Sequence, residues 1–397
     1  MYRWLIIGGG IHGTHLAARL VEEAGESPAD LAIIDPAPRL LDAWRRCTAA
    51  TGMRYLRSPS VHHLGVEPFE LLRYGGNLAA APCGAPPFAA PYNRPALSLF
   101  QAHTDEVIAR TGIADQHVRA RAVSAELDCD RVRVHLDDGT NLDTERLVLA
   151  IGASEQPSWP TWARALADAG APIHHMFAPE GIPAEFEAGG TSGATVAVIG
   201  AGISGVQLAL RLASQTNPVM LVSGHPLRTH QFDSEPGWLG PRFMKAFHEE
   251  PDPDRRRAVI GAARHVGSVP PALAEELEQA MADGLVVLQT GPVQSADADA
   301  NGIRLKTATN LVAVDAVVLA TGFEGQRPGG SLVEGLVEAN ALPCAACGYP
   351  VVDEHLRWHP RVFLTGPLAE LELGPSARNI AGARRAAQRL VAHLGNA

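Results

Sequence analysis

The residues best placed to do chemistry are glycines. Trp4-Leu5-Ile6-Ile7 runs into Gly8-Gly9-Gly10-Ile11-His12-Gly13, and Val196-Ala197-Val198-Ile199 runs into Gly200-Ala201-Gly202-Ile203-Ser204-Gly205. Each is a G-x-G-x-x-G set between a short apolar run and a helical pattern. The first glycine (Gly8, Gly200) permits a tight turn off a strand. The second (Gly10, Gly202) lets a pyrophosphate approach the backbone, and the third (Gly13, Gly205) lets helix pack on strand. Free N–H groups at the helix start then hold the anion. One such motif is weak; two in one chain predict two bound dinucleotides.

Other candidates cluster around these motifs. Asp35 closes the apolar run 31–34, about twenty residues past Gly13, where a carboxylate accepts the ribose hydroxyls of an adenosine. The alternative is a turn aspartate before Pro36. The second motif has no such acid: the run 219–222 ends at Ser223, followed by Gly224, His225 and Arg228. A carboxylate there would repel a 2′-phosphate, whereas a hydroxyl and a guanidinium accept it, which favours NADPH over NADH. Arg228 is equally readable as a solvated loop residue. Cys344-Ala345-Ala346-Cys347 is a C-x-x-C, either a redox pair or two packed thiols. His174-His175 has no companion at metal-ligand spacing, and no metal is expected.

Strands and helices alternate on either side of each motif. Apolar runs at 5–7, 31–34, 147–152, 219–222, 285–288, 316–323 and 362–366 read as buried strands, and 131–136 as a half-exposed one. Helical periodicity marks 14–24, 203–213, 273–282 and 377–394. Residues 51–105, rich in Pro, Gly, His and aromatics, read as an irregular covering segment. Gly189 to Gly193 reads as a flexible joint. The pattern predicts an α/β chain of two Rossmann-like domains with parallel sheets. The first is discontinuous (1–180 and 331–397), the second spans 190–330.

Bulk properties narrow the partners. A formal charge of -10 argues against nucleic acid or an anionic membrane as main partner. No segment has the ~20 apolar residues of a membrane span. Five cysteines form no disulfide framework, so a reducing cytoplasm is expected. Homo-oligomerisation is compatible with the sequence.

The two fingerprints, with strand ends Ala150-Ile151-Gly152 and Ala320-Thr321-Gly322-Phe323, resemble the two-dinucleotide-binding flavoproteins. Within them the chain is similar to the N-hydroxylating monooxygenases, the lysine/ornithine hydroxylase family. Four blocks carry that likeness: the segment from Tyr55 to Phe69; Tyr92-Asn93-Arg94-Pro95 with Phe100; Phe232-Asp233-Ser234-Glu235; and Leu373-Gly374-Pro375-Ser376-Ala377-Arg378-Asn379. The resemblance implies FAD on the first fingerprint and NADPH on the second, with Gly152, Thr321 and Gly322 lining the passage between domains. Trp44 would cover the flavin, with plain core as the alternative. Gly366-Pro367 replaces the Gly-Asp motif at the ribityl end. Gly374-Pro375 would open the last helix and point its dipole at the flavin ring. The glutamine loop of those hydroxylases is replaced by Arg57-Ser58-Pro59, and their amino-acid-binding lysine and asparagines have no evident counterpart.

In this class oxygen chemistry belongs to the flavin, so a missing nucleophile triad does not argue against an enzyme. His62 and His63 are candidates to contact the flavin or take a proton near pH 7, or else to satisfy a loop backbone. Arg57 would pair with a substrate carboxylate or with the flavin. The expected reaction is N-hydroxylation of a primary amine or amino acid with O2. The rivals are a flavin disulfide reductase or dehydrogenase, and a non-catalytic flavin-binding redox sensor.

Overall fold

In the computed structural model, the described residues are 1–78, 80–183, 194–213, 218–300, 302–308 and 310–394. The expected joint at 189–193 lies outside them. Two mainly parallel sheets form the frame. The first runs Arg357–His359, Val362–Leu364, Asn141–Leu149, Tyr2–Ile7, Leu31–Ile34, His117–Val118, with Val132–Leu136 and Ala122–Leu127 attached antiparallel beyond Asn141–Leu149. The second runs Val286–Thr290, Val219–Ser223, Val196–Ile199, Ala316–Leu319, Ile173–His175, all parallel.

Each fingerprint strand is central because it is apolar on both faces. Trp4, Leu5 and Ile6 are fully buried, as are Ala197 and Val198. A strand covered on both sides needs no polar alternation, and each large side chain removed from water contributes ~1.5–3 kcal/mol. Tyr2–Ile7 pairs with Leu31–Ile34 on one side and Asn141–Leu149 on the other, and Val196–Ile199 sits likewise between Val219–Ser223 and Ala316–Leu319. Chain order reverses at both places, and there an open α/β sheet leaves its ligand crevice. Val362–Leu364 returns to the first sheet beside Asn141–Leu149, and helix Ile380–Leu394 packs on helix Ile11–Glu22, so the first unit is discontinuous.

Three expectations need correction. The boundary at 180 falls too late: Ile173–His175 pairs with Ala316–Leu319, and Trp159, Trp162 and Ala163 pack into the second unit's core. The segment 51–105 is not irregular throughout. It holds helices Glu70–Gly76 and Leu97–Thr111, the latter burying Leu99, Phe100, His103 and Val107 at helical spacing. The last helix begins at Ile380, not near Ala377. Asn379 Oδ1 caps it by accepting the Gly382 N–H at 2.9 Å. Carbonyls of Ser376 and Ala377 fold back to 2.2 and 2.5 Å from where a Gly382 Cβ would stand. Gly374-Pro375 therefore lies in a turn and does not open that helix.

Candidate functional site

The two fingerprints make cradles that match at their first and third glycines. Gly8 sits at φ 112° and Gly200 at φ 110°. A Cβ on either would lie 2.5 Å from a carbonyl oxygen, that of Ala150 or of Ala320. A Cβ on Gly13 would stand 1.8 Å from Gly8 O, and one on Gly205 1.7 Å from Gly200 O. These four glycines are demanded by helix, strand and neighbouring strand closing on one another. Gly10 differs: nothing lies within 4 Å of its Cβ position, although its backbone is extended. Helix Ile11–Glu22 has no side-chain cap and no acid in its first turn, so its leading N–H groups face that opening. The space fits a pyrophosphate. Gly202 is approached by Gly267, whose Cα would be 3.4 Å from a Cβ there, so the loop 265–269 lies over the second cradle.

Asp35 reaches back to the first cradle. Its Oδ2 accepts Gly9 N–H at 2.7 Å and its Oδ1 accepts Ala37 N–H at 2.9 Å. Each oxygen keeps a lone pair for a ribose hydroxyl. His12, inside the fingerprint, stacks on Gly366 and hydrogen-bonds Thr365 Oγ1 through Nδ1 at 2.8 Å. Burial lowers its pKa to about 4, so the ring is neutral, and its buried Nε2 has no partner. An orphaned polar atom beside the altered Gly366-Pro367 motif is what a bound flavin nucleotide would satisfy. Trp44, half-buried on helix Asp42–Thr51, packs at 5.1 Å on Phe100. Gly152 and Gly322 have open space where a side chain would be.

At the second cradle Ser223 is buried and its Oγ donates to His225 O at 2.5 Å. Arg228 is exposed, with Nη1 donating to Val266 O at 3.3 Å. Thr321 belongs to a relay. Phe177 N–H donates to His175 Nδ1 at 3.1 Å, so His175 Nε2 carries the proton and donates to Thr321 Oγ1 at 3.2 Å. Thr321 Oγ1 in turn donates to Ser158 O at 2.5 Å. Burial holds the His175 pKa near 4. The relay fastens the strand end between the units, a positioning role that spacing alone did not reveal.

The three candidate catalytic residues fare differently. Arg57 donates to Gln231 O at 2.8 Å, His230 O at 2.7 Å and Ser268 Oγ at 2.9 Å. Its guanidinium braces the first unit to the second, which corrects the expectation of a substrate or flavin partner. His63 is fully buried. Arg384 Nη1 points at its Nδ1 from 3.5 Å, and its Nε2 donates to Pro68 O at 3.2 Å. Burial and the nearby Arg384 charge lower its pKa to about 3. Both nitrogens are committed to protein, so a proton-transfer role is also corrected. His63, Glu70 and His103 bring donor atoms within 4.8 Å. However, a proton on Nε2 with an N–H aimed at Nδ1 is the reverse of what a metal ligand needs. His62 has its pKa lowered to about 4 by burial and Arg384, with Asp233 pulling the other way. It is neutral at pH 7.

Sequence reasoning marked the blocks holding Asp233 and Asn379 but missed Arg264 and the grouping of all three, with Asp233 beside His62. Asn379 Nδ2 lies 3.5 Å from Asp233 Oδ1. Arg264 has a buried Nε with no partner, and burial plus the neighbouring Arg378 lower its pKa. Arg384 holds the whole loop by donating to the carbonyls of His63 (2.9 Å), Gly65 (2.6 Å) and Val66 (3.2 Å). His62, Asp233, Arg264 and Asn379 come from four separate segments, and no local motif could have joined them. Cys344 and Cys347 sit exposed on a hairpin closed by Gly348 N–H to Ala345 O at 2.8 Å. Burial pushes the Cys344 thiol up, away from the thiolate an exchange reaction needs.

The sequence pattern of the pyridine nucleotide-disulphide oxidoreductase family matches residues 2–389. No curated protein sequence matches the chain. Among solved structures it is similar to the reduced form of ornithine hydroxylase PvdA from Pseudomonas aeruginosa, with TM-score 0.75 and 18% identity, covering 100% of this chain and 99% of that one. It is similar to the Kutzneria sp. 744 ornithine N-hydroxylase KtzI in complex with FADred, NADP+ and L-orn (TM-score 0.74, 14% identity, the same coverages). It is also similar to the bacillithiol disulfide reductase Bdr (YpdA) from Bacillus cereus (TM-score 0.62, 16% identity, the same coverages). At such identities these likenesses show a shared fold. No helix among the described residues is long and apolar enough to cross a membrane.

Proposed function

The chain belongs to the pyridine nucleotide-disulphide oxidoreductase family and is an FAD-dependent oxidoreductase; from that premise we propose that it is an NADPH-using monooxygenase that N-hydroxylates a primary amine or amino acid. One observation carries this reading: two complete dinucleotide cradles in a chain whose fold is shared end to end with an ornithine N-hydroxylase complexed with FADred, NADP+ and L-orn. Bound FAD, reduced by NADPH, supplies the electrons that activate O2. This chain's residues bind, orient and exclude water. Gly8, Gly10, Gly13 and Asp35 hold the adenosine diphosphate part of FAD, and His12 Nε2 takes the polar role that an aspartate has in the Gly-Asp motif. Gly200, Gly202, Gly205 and Arg228 hold NADPH, whereas the Ser223 hydroxyl expected to meet the 2′-phosphate is buried and committed to His225 O. Asp233, beside neutral His62, and Arg264, within range of Asp233, offer opposite charges, a pattern suited to the ammonium and carboxylate of an amino acid.

The test is oxygen uptake and NADPH oxidation by purified, FAD-loaded protein. Without amine, slow uptake should release peroxide. With the right amine or amino acid, uptake should accelerate, peroxide fall and a hydroxylamine accumulate. NADPH oxidation without oxygen uptake, coupled to a disulfide, would instead identify a reductase. No NADPH oxidation with any acceptor would leave a non-catalytic flavin binder.

A further inference from the structure

Outside the glycine cradles, a cavity of about 420 Å³ opens between the two units. Its polar wall is arginine-rich: Arg54, Arg57 and Arg94 from the first unit, Arg211 from the second, against a single carboxylate, Glu276. That carboxylate is already engaged by Arg54. Arg94 is only 9% exposed; Nη2 donates to Ala90 O at 2.7 Å, and its buried Nε has no partner. Arg211 donates through Nη1 to Ala49 O at 3.2 Å, and its stem crosses Gly52 so closely that a Gly52 Cβ would stand 2.8 Å from Arg211 Cδ. Gly52, at φ 72°, is what admits it. The charges of Arg57 and Arg94, largely buried against carbonyl and hydroxyl oxygens, are costly unless something offsets them.

We infer that this interdomain cavity is a binding site for a small polyanion carrying two or more phosphate or carboxylate groups. Guanidinium forks suit oxyanions in pairs, and the volume falls within the range of small-ligand pockets. The site is distinct from the second cradle. It meets the second fingerprint only at Ile203 and runs from there along the side of helix Ile203–Ala213 to Arg211, bordered by none of Gly200, Gly202 and Gly205. The two are coupled, however. Arg57 borders the cavity and binds Ser268, next to the Gly267 that covers Gly202. A polyanion here would draw both units together and hold the loop 265–269. The coupling, though not the binding site, rests on the coenzyme assignment above.

The experiment titrates FAD-loaded protein with inorganic pyrophosphate and, separately, citrate, at fixed ionic strength, by calorimetry and thermal melting. Saturable binding with a raised melting temperature is expected, and whichever probe binds tighter separates phosphate from carboxylate ligands. Arg54→Met, on a largely exposed side chain, and Arg94→Met should each weaken binding about tenfold or more. Glu276→Gln should strengthen it severalfold, and that outcome cannot arise from misfolding. Arg228→Met should leave it unchanged, and saturating NADPH should not compete. Two results would overturn the inference: a thermal shift no greater than sodium chloride gives at equal ionic strength, or binding that NADPH displaces and Arg228→Met abolishes. Neither depends on whether an amine is hydroxylated.

Discussion

The glycines of the first cradle allow fold and ligand to be tested separately. Gly13→Ala would place a methyl carbon 1.8 Å from Gly8 O, a backbone atom with nowhere to go. Helix Ile11–Glu22 would have to lift from strand Tyr2–Ile7 by more than an ångström. Overpacking a filled interface costs about 1–3 kcal/mol and more when backbone must move, so a loss of at least ~3 kcal/mol is expected. Gly10→Ala meets no protein atom within 4 Å, and Gly10's φ of -79° with ψ of -166° suits any residue. Its effect on the apoprotein should stay within ~0.5 kcal/mol. The same methyl occupies the space where a pyrophosphate must come, and each charge-assisted hydrogen bond removed costs ~1.5–3 kcal/mol. FAD affinity should fall by roughly 10- to 150-fold. Urea unfolding of the two apoproteins and FAD titration by flavin fluorescence would measure both. The reasoning fails if Gly10→Ala binds FAD like the wild type, or if Gly13→Ala unfolds at the wild-type urea midpoint.

Three further outcomes follow from the side chains. His12, His63 and His175 have folded pKa values of about 4, 3 and 4, below the unfolded value near 6.5. As pH falls below 6.5 the unfolded chain takes up protons first, so stability is full above that point and drains away towards pH 4. At pH 5 the loss is about 2 kcal/mol per imidazole, and equal urea midpoints for the apoprotein at pH 7 and pH 5 would contradict the burial argument. Arg384→Met strips three loop carbonyls of their donor and should cost about 3 kcal/mol in thermal or urea unfolding. Arg228→Ala should raise KM for NADPH about tenfold or more while leaving NADH unchanged. A parallel change in both coenzymes would remove Arg228 from 2′-phosphate recognition.

What the chain declares locally, it declares clearly. G-x-G-x-x-G depends on consecutive backbone geometry, so Gly8, Gly13, Gly200 and Gly205 could be assigned from spacing, and their contacts explain the requirement. Continuous apolar runs likewise marked strands buried on both faces. Helix Leu97–Thr111 was hidden because a Pro- and Gly-rich neighbourhood masked its periodicity. The helical start expected at Gly374-Pro375 failed because a proline is equally at home in a turn, and the carbonyls folding over Gly382 decide between them. Tertiary structure alone turned Arg57 into an interdomain brace and sealed His63 beneath Arg384. It also gathered His62, Asp233, Arg264 and Asn379 from distant segments, and set four arginines around one cavity. Sequence determines what is written in neighbouring residues. Whether a histidine or arginine meets solvent, ligand or another chain segment depends on long-range packing, which sets its solvation and its partners.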